Sequence, residues 1–176
     1  MHTQCNAWCE KLKDKFPKYF KNKKVLEVGS AYINGSIRGK FDNCRYIGID
    51  VKPHEDVDVV SIAHEFKAKA NSFDVIYSIN SLEHDMYFRK TLKKMIKLLK
   101  PGGLMFFSAA SLWKEHGTSK HGPEASMTSQ IKNWSNYYHN MKPIDIVKSI
   151  DLNKTFSEWE MKLDSGLDLN FWGIKK

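Results

Sequence analysis

The chain has 176 residues, a formal net charge of +8 and ordinary aliphatic and aromatic content, which excludes a disordered polymer and suffices for a buried core. No apolar run nears the ~20 residues that cross a bilayer, and charge interrupts Cys5 to Phe20 too often for a signal-peptide core, so the expectation is a cytoplasmic protein without membrane insertion. The basic excess is lysine spread over several helices, with only Arg38, Arg45 and Arg89 as arginines; bidentate phosphate and base reading favours arginine, so a nucleic-acid partner is the less favoured reading.

Taken in order, Cys5 to Phe20 carries Ala7, Trp8, Leu12 and Phe16 at helical spacing, with Pro17 weakening the last turn. We read residues 1–22 as a helix capping the sheet rather than a lid. Cys5 and Cys9 lie one helical turn apart and Cys44 stands alone; without CxxC or zinc-type spacing the thiols read as buried or incidental, and no metal site is predicted. From Lys24 to Val51 the pattern is strand (Val25, Leu26, Val28), Gly29, a polar turn with Gly35, a short helical piece, and a second strand, Tyr46 to Ile49, ending on Asp50. An acid about 20 residues past a glycine loop is the spacing by which a mononucleotide-binding βαβ unit reaches ribose hydroxyls. Pro53 then turns the chain. Val57, Val59 and Val60 predict a third strand, and Ser61 a cap for a brief helix through Ala63, His64 and Phe66.

The apolar run Phe73 to Tyr77 predicts a central strand, with Ser78 to His84 on the edge where open α/β sheets carry their chemistry. Phe88, Leu92, Met95, Ile96 and Leu99 share one face of a helix over 87–99, which Pro101-Gly102-Gly103 stops before a fifth strand, Leu104 to Phe107. The polar stretch Ser111 to Ser129 leaves that strand's active edge, and so long a loop in a compact domain points to function. Helices are predicted over 130–139, carrying Trp134, Tyr137 and Tyr138, and over 144–150. Phe156 to Leu163 and Leu167 to Ile174 alternate about Asp164-Ser165-Gly166 as a β-hairpin, whose exposed edge leaves an oligomer open. The fold class is α/β: one domain over residues 1–176, with a doubly wound, mostly parallel sheet of seven strands, a C-terminal antiparallel hairpin, and residues 111–150 as a substrate-side insertion.

Four stretches in this order, VLEVGS with Gly35, YIGID, FDVIYSINSLEH and LLKPGGLMFFSA, resemble the class I S-adenosylmethionine-dependent methyltransferases, in particular small, Rossmann-like members of the type 11 kind. The resemblance covers Lys24 to about Ala110. It implies S-adenosylmethionine as methyl donor and S-adenosylhomocysteine as product. It places Glu27 at the methionine amino group, Gly29, Ser30 and Gly35 in the loop that admits the cofactor, and Asp50 at the ribose hydroxyls. Val51 would pack on the adenine, Ile62 and Ala63 would read its edge, and Ser78 and Ile79 would meet the methionine end. The sequence departs from the family pattern at Ser30 and Ala31, where glycines are common, and at Ile62, where an aspartate is common; His64 or backbone would then supply the missing adenine contact.

A sulfonium already activates its methyl group, so the protein must align a nucleophile, exclude water and, for a nucleophile of high pKa, take a proton. His84, next to Glu83 at the end of the fourth strand, is the first candidate base. His116 and His121, in EHGTSKHG, are candidates for acceptor contact, with His116 as a second base, and Tyr137 with Trp134 and Tyr138 as pocket wall. Asn80, three residues before Glu83, is a poor ligand for a hard cation. No Asp/Asn-Pro-Pro-aromatic motif and no proline-cysteine nucleophile follows the fourth strand. The resulting expectation is methyl transfer to a small molecule or sugar unit, at oxygen. The alternatives are an RNA or protein methyltransferase using the lysine-rich surface, or a non-catalytic module that binds the cofactor to regulate or scaffold a partner.

Overall fold

A computed structural model describes residues 3–176. Its centre is a seven-stranded sheet in the order β3-β2-β1-β4-β5-β7-β6. The strands are β1 (Lys24–Val28), β2 (Arg45–Asp50), β3 (Val59–Val60), β4 (Phe73–Ile79), β5 (Leu99–Ala110), β6 (Phe156–Leu163) and β7 (Asp168–Lys175). The first five pair in parallel, and β7 inserts antiparallel between β5 and β6. The doubly wound sheet and its C-terminal hairpin are thus as expected.

Alternation along the strands sends side chains to two faces. One face buries Leu26, Ile76, Met105, Phe107 and Phe171 under α2 (Phe88–Leu98), α3 (Pro143–Ser149) and α4 (Leu152–Thr155), which contribute Leu92, Met95, Ile146 and Leu152. The other buries Val25, Val75, Leu104 and Phe106 under α1 (Thr3–Lys15), through Cys5, Cys9 and Leu12. Among the described residues α1 is the α-helix on that second face. An aromatic stack supplies the remaining cover: Phe20 on Phe41 (centroids 4.7 Å), Phe41 on Tyr77 (5.5 Å) and Tyr77 on Phe106 (4.9 Å). The three cysteines are free thiols.

Several local expectations differ. The first helix stops at Lys15 and Pro17 opens a 3-10 turn, because proline cannot donate to the turn before it. The piece between β1 and β2 is only the 3-10 turn Arg38–Lys40. Ser61 caps nothing; its hydroxyl bonds the Ile62 carbonyl and Ala63–Glu65 is again a 3-10 turn. Pro101-Gly102-Gly103 does not sit between a helix and a strand: β5 already begins at Leu99, opposite Phe73, and these residues form an irregularity inside it, with Gly102 at φ +71°. The helix expected over 130–139 is absent. That stretch begins in the 3-10 turn Met127–Gln130 and continues only in isolated turns, such as the Trp134 and Ser135 amides on the Ile131 carbonyl, before the His139 amide goes to the Glu83 carbonyl instead of continuing a helix. In the hairpin, Leu167 belongs to the turn, at φ +68°, held there as Asp164 accepts from the Gly166 and Asp168 amides and from Asn170. No described helix is long and apolar enough to cross a membrane.

Candidate functional site

Strand order reverses between β1 and β4: β2 lies on one side and β5 on the other, so the connections leaving their carboxyl ends diverge and open a crevice. A cavity of about 870 Å³ fills it, toward the upper end of the ~300–1,000 Å³ typical of ligand pockets. One end is lined by Glu27, Gly29, Ser30, Gly35, Asp50 and Val51, the other by His84, Trp113, His116 and Thr128.

At the first end the chain is drawn tight. Gly29 and Ser30 both donate their amides to the Ile49 carbonyl, at 2.9 and 3.1 Å, folding the loop over the end of β2. Gly29 has φ +78°, and a Cβ there would lie 2.3 Å from the Ser81 Cβ, so both backbone conformation and space require glycine. Asp50 fixes the loop from below: Oδ2 accepts from the Ala31 amide (3.1 Å) and Oδ1 from the Val51 amide (2.7 Å). Each oxygen keeps a further lone pair for a ligand hydroxyl. Burial raises the Asp50 pKa, while the two amides oppose that rise.

Glu27 is 5% exposed, and burial pushes its carboxyl up to about 8. Its Oε2 accepts from the Tyr46 hydroxyl at 2.5 Å, and Tyr46 in turn meets the Tyr77 hydroxyl. Both phenols partly offset the desolvation of the carboxylate. A ligand ammonium beside Glu27 would do so further, so a buried acid on this wall suits a cationic group. The cavity, the required glycine, the buried Glu27 and the half-buried Asp50 fit an adenosyl-amino-acid cofactor.

The second end is built by loops. Glu83 and His84 follow β4 in a 3-10 turn, Leu82–His84, and both are buried. Two later residues pin this turn: Trp134 Nε1 donates to the His84 carbonyl (2.6 Å), and the His139 amide donates to the Glu83 carbonyl (2.9 Å). His116 reaches the same spot from the loop after β5, its ring 5.2 Å from that of His84, and Tyr138 packs against both at 5.5 and 5.0 Å. Gly117, at φ +65°, presses on the His84 ring so closely that a Cβ would lie 2.4 Å from Cε1. Burial, with His116 beside it, lowers the His84 pKa to about 3, so the imidazole is neutral. Burial raises Glu83 to about 8, and the negative charge of Asp168 adds to the rise. Neither Glu83 oxygen has a side-chain partner.

Of the residues singled out from sequence, Glu27, Gly29, Ser30, Gly35, Asp50, Val51, Ala63, Ile79, His84 and His116 line this one cavity. Ile62 and Ser78 do not; the Ser78 side chain is fully buried. His121 is exposed and Tyr137 half-buried, both outside the cavity lining. His64 packs on Tyr87 instead (4.8 Å). Sequence reasoning missed Ser81, Leu112 and Trp113, which line the cavity, and Asp168, which holds Trp113 Nε1 at 2.8 Å and also accepts from Ser108 (3.2 Å). Asp168 sits on a hairpin strand with no local signal for a site; only the pairing of β7 with the end of β5 brings it there.

A family model described as a methyltransferase domain matches residues 1–161. A ubiquinone biosynthesis O-methyltransferase of Nitrosococcus oceani is 30% identical over 92 residues, which is 52% of this chain and 39% of that protein. The fold is similar to that of Haemonchus contortus phosphoethanolamine N-methyltransferase 2 solved with phosphomonomethylethanolamine and S-adenosylhomocysteine: TM-score 0.64 and 15% identity over 97% of this chain and 52% of that one. It is also similar to Burkholderia thailandensis 1,6-didemethyltoxoflavin-N1-methyltransferase, with TM-score 0.60 and 11% identity over the whole of this chain and 92% of the other. The chain thus spans about two fifths of the Nitrosococcus relative and about half of the Haemonchus enzyme.

Proposed function

We propose, for a chain that belongs to the methyltransferase-domain family of the class I fold, methyl transfer from S-adenosylmethionine to an oxygen of a small molecule or sugar unit. When bound, that cofactor supplies an electrophilic methyl group on sulfur. The carrying observation is that one cavity joins the Gly29–Asp50 end to the His84–His116 end, so a donor and a small acceptor share a single chamber.

In this reading the Gly29 loop lets backbone approach the cofactor, Asp50 accepts its ribose hydroxyls, and Glu27 accepts its amino group. Leu112, Trp113, Met127 and Thr128 wall the far end, which favours an acceptor that can be enclosed over a polymer laid across a groove. His84 and His116 orient the acceptor and keep water out. A ring as weakly basic as that of His84 is a poor proton acceptor for a hydroxyl, so its part is to hold rather than to deprotonate. Oxygen is favoured because SINS stands where a nitrogen-directed aromatic-proline motif would follow β4; the Nitrosococcus relative is an O-methyltransferase by name, while the two structural neighbours are N-methyltransferases by title.

The test is transfer from labelled S-adenosylmethionine to a panel of phenols, sugar hydroxyls, carboxylates, amines and RNA. Label on an oxygen acceptor, lost in Asp50→Ala, supports the reading. Label on amines or RNA alone contradicts it.

A further inference from the structure

We propose that Glu83, His84 and His116 form a binding site for one divalent first-row transition cation, Zn²⁺ or a close neighbour, at the acceptor end of the cavity. One carboxylate oxygen and two imidazole nitrogens from these residues lie within 4.8 Å of one another. A cation held about 2.0–2.2 Å from each donor needs them roughly 3–3.5 Å apart, so the donors must close by about an ångström. His116 comes from an irregular loop and is only half-buried, so rotation of its side chain can supply that movement.

The donors are prepared for such an ion. No hydrogen bond joins the three, although Glu83 is fully buried and His84 is 3% exposed. Both Glu83 oxygens and His84 Nδ1 lack a side-chain partner; the backbone amides of Glu83 and Ala110 stand near the carboxylate. An unpaired ionised carboxylate at that depth costs several kcal/mol, and a cation between it and two neutral imidazoles removes that cost. His116 Nδ1 lies 2.9 Å from the Lys114 carbonyl. A carbonyl only accepts, so Nδ1 carries the proton and Nε2 keeps its lone pair, the outer contact that metal-bound histidines make.

The scaffold is fixed on both sides. Trp134 and His139 pin the backbone of His84 and Glu83, and Gly117 seats the His116 loop against the His84 ring. Asp168, fully buried nearby, adds negative potential. Two imidazoles and one carboxylate suit zinc, cobalt, nickel or iron(II) better than magnesium, which takes oxygen donors. Since His84 and His116 line the cavity, an open coordination position would face the acceptor and take one of its oxygens. That last role rests on the proposed function; the site itself does not.

The experiment uses tag-free protein stripped by chelator, then titrated separately with Co²⁺, Zn²⁺ and Mg²⁺. Heat and the visible d–d bands of Co²⁺ are the readouts, and S-adenosylhomocysteine is titrated into each sample as a separate control on the donor end. The expected result is one equivalent of Co²⁺ or Zn²⁺ per chain, with affinity reduced at least about tenfold in His116→Ala and in Glu83→Gln. His116→Ala alters a half-buried loop residue, so its circular dichroism should match the parent. No binding of Co²⁺ or Zn²⁺, binding of Mg²⁺ alone, or full stoichiometry retained in both variants (a stray thiol such as Cys44) would overturn the site. Loss of S-adenosylhomocysteine binding with metal binding intact would instead sink the donor reading.

Discussion

At one end of the cleft, the groups facing the cavity come from the last residues of parallel strands or the tight loop beyond: Glu27 and Gly29 from β1, Asp50 and Val51 from β2. At the other end, Trp113, His116 and Thr128 come from a stretch between Ala110 and Pro143 that holds no α-helix or strand, only 3-10 turns. The sheet ladder sets the first end, so its geometry follows from register. The second end is set by single side-chain anchors, such as Trp134 to His84 and Trp113 to Asp168. A ladder fixes what all members of a fold share, whereas anchors can be exchanged one at a time. This division suits an enzyme with a constant donor and an acceptor of its own.

Breaking the ladder end should have the largest effect. Gly29→Val forces a left-handed φ at about 1–2 kcal/mol and drives a Cβ into Ser81, so affinity for S-adenosylhomocysteine should fall about 100-fold or more. Calorimetry reads this directly, and unchanged affinity would separate the loop from the ligand. Breaking an anchor should act on the other end alone. Trp113→Phe removes one hydrogen bond to a buried carboxylate, about 1.5–3 kcal/mol, and should raise the acceptor KM about tenfold. Affinity for S-adenosylhomocysteine should stay within twofold. Equal losses at both ends would mean the two are one cooperative unit.

Glu27 sharpens the contrast through pH. Its folded carboxyl titrates near 8 against 4.5 as the reference value, with Tyr46, Tyr77 and Arg38 opposing the rise and Asp56 adding to it. A raised pKa stabilises the ligand-free fold fully below about pH 4.5, and that stability is lost as pH climbs through about 8. Tm should therefore fall over that range, and Glu27→Gln should flatten part of the fall; Glu83, raised to a similar value, supplies the same sign and keeps some slope. Near pH 7 the proposed ammonium contact would expel up to about one proton from Glu27. Calorimetry in buffers of different ionisation enthalpy should show that release on binding of S-adenosylhomocysteine, and Glu27→Gln should abolish it.

The same division governs what the sequence made legible. The strands of the sheet and the hairpin could be read from apolar runs, from Gly29 and from Asp50, because each signal lies within a few residues of the structure it makes. Helix type was less readable. The stretch 130–139 has helical spacing of Trp134 and Tyr138, but its backbone closes only isolated turns, such as that on the Ile131 carbonyl, and then sends the His139 amide to Glu83. Of the residues expected at the donor end, all but Ile62 and Ser78 line the cavity; those two were placed by analogy with positions and not by any chemistry of their own. Of those expected at the acceptor end, His84, His116 and Trp134 line the cavity, while His121 and Tyr137 do not. Asp168 and Trp113 meet through the pairing of β7 with β5, which no local pattern announces. Burial, which a string of residues does not display, bears on the base expected at His84, because it lowers that imidazole's pKa.

The most direct test of the account is titration of S-adenosylhomocysteine into the parent protein and into Asp50→Ala. Asp50 would contribute charge-assisted bonds worth about 1.5–3 kcal/mol to the ribose hydroxyls. The account predicts one site per chain in the parent and affinity lower by roughly 10- to 100-fold in the variant. No heat of binding in the parent, or the same affinity in both proteins, would contradict it.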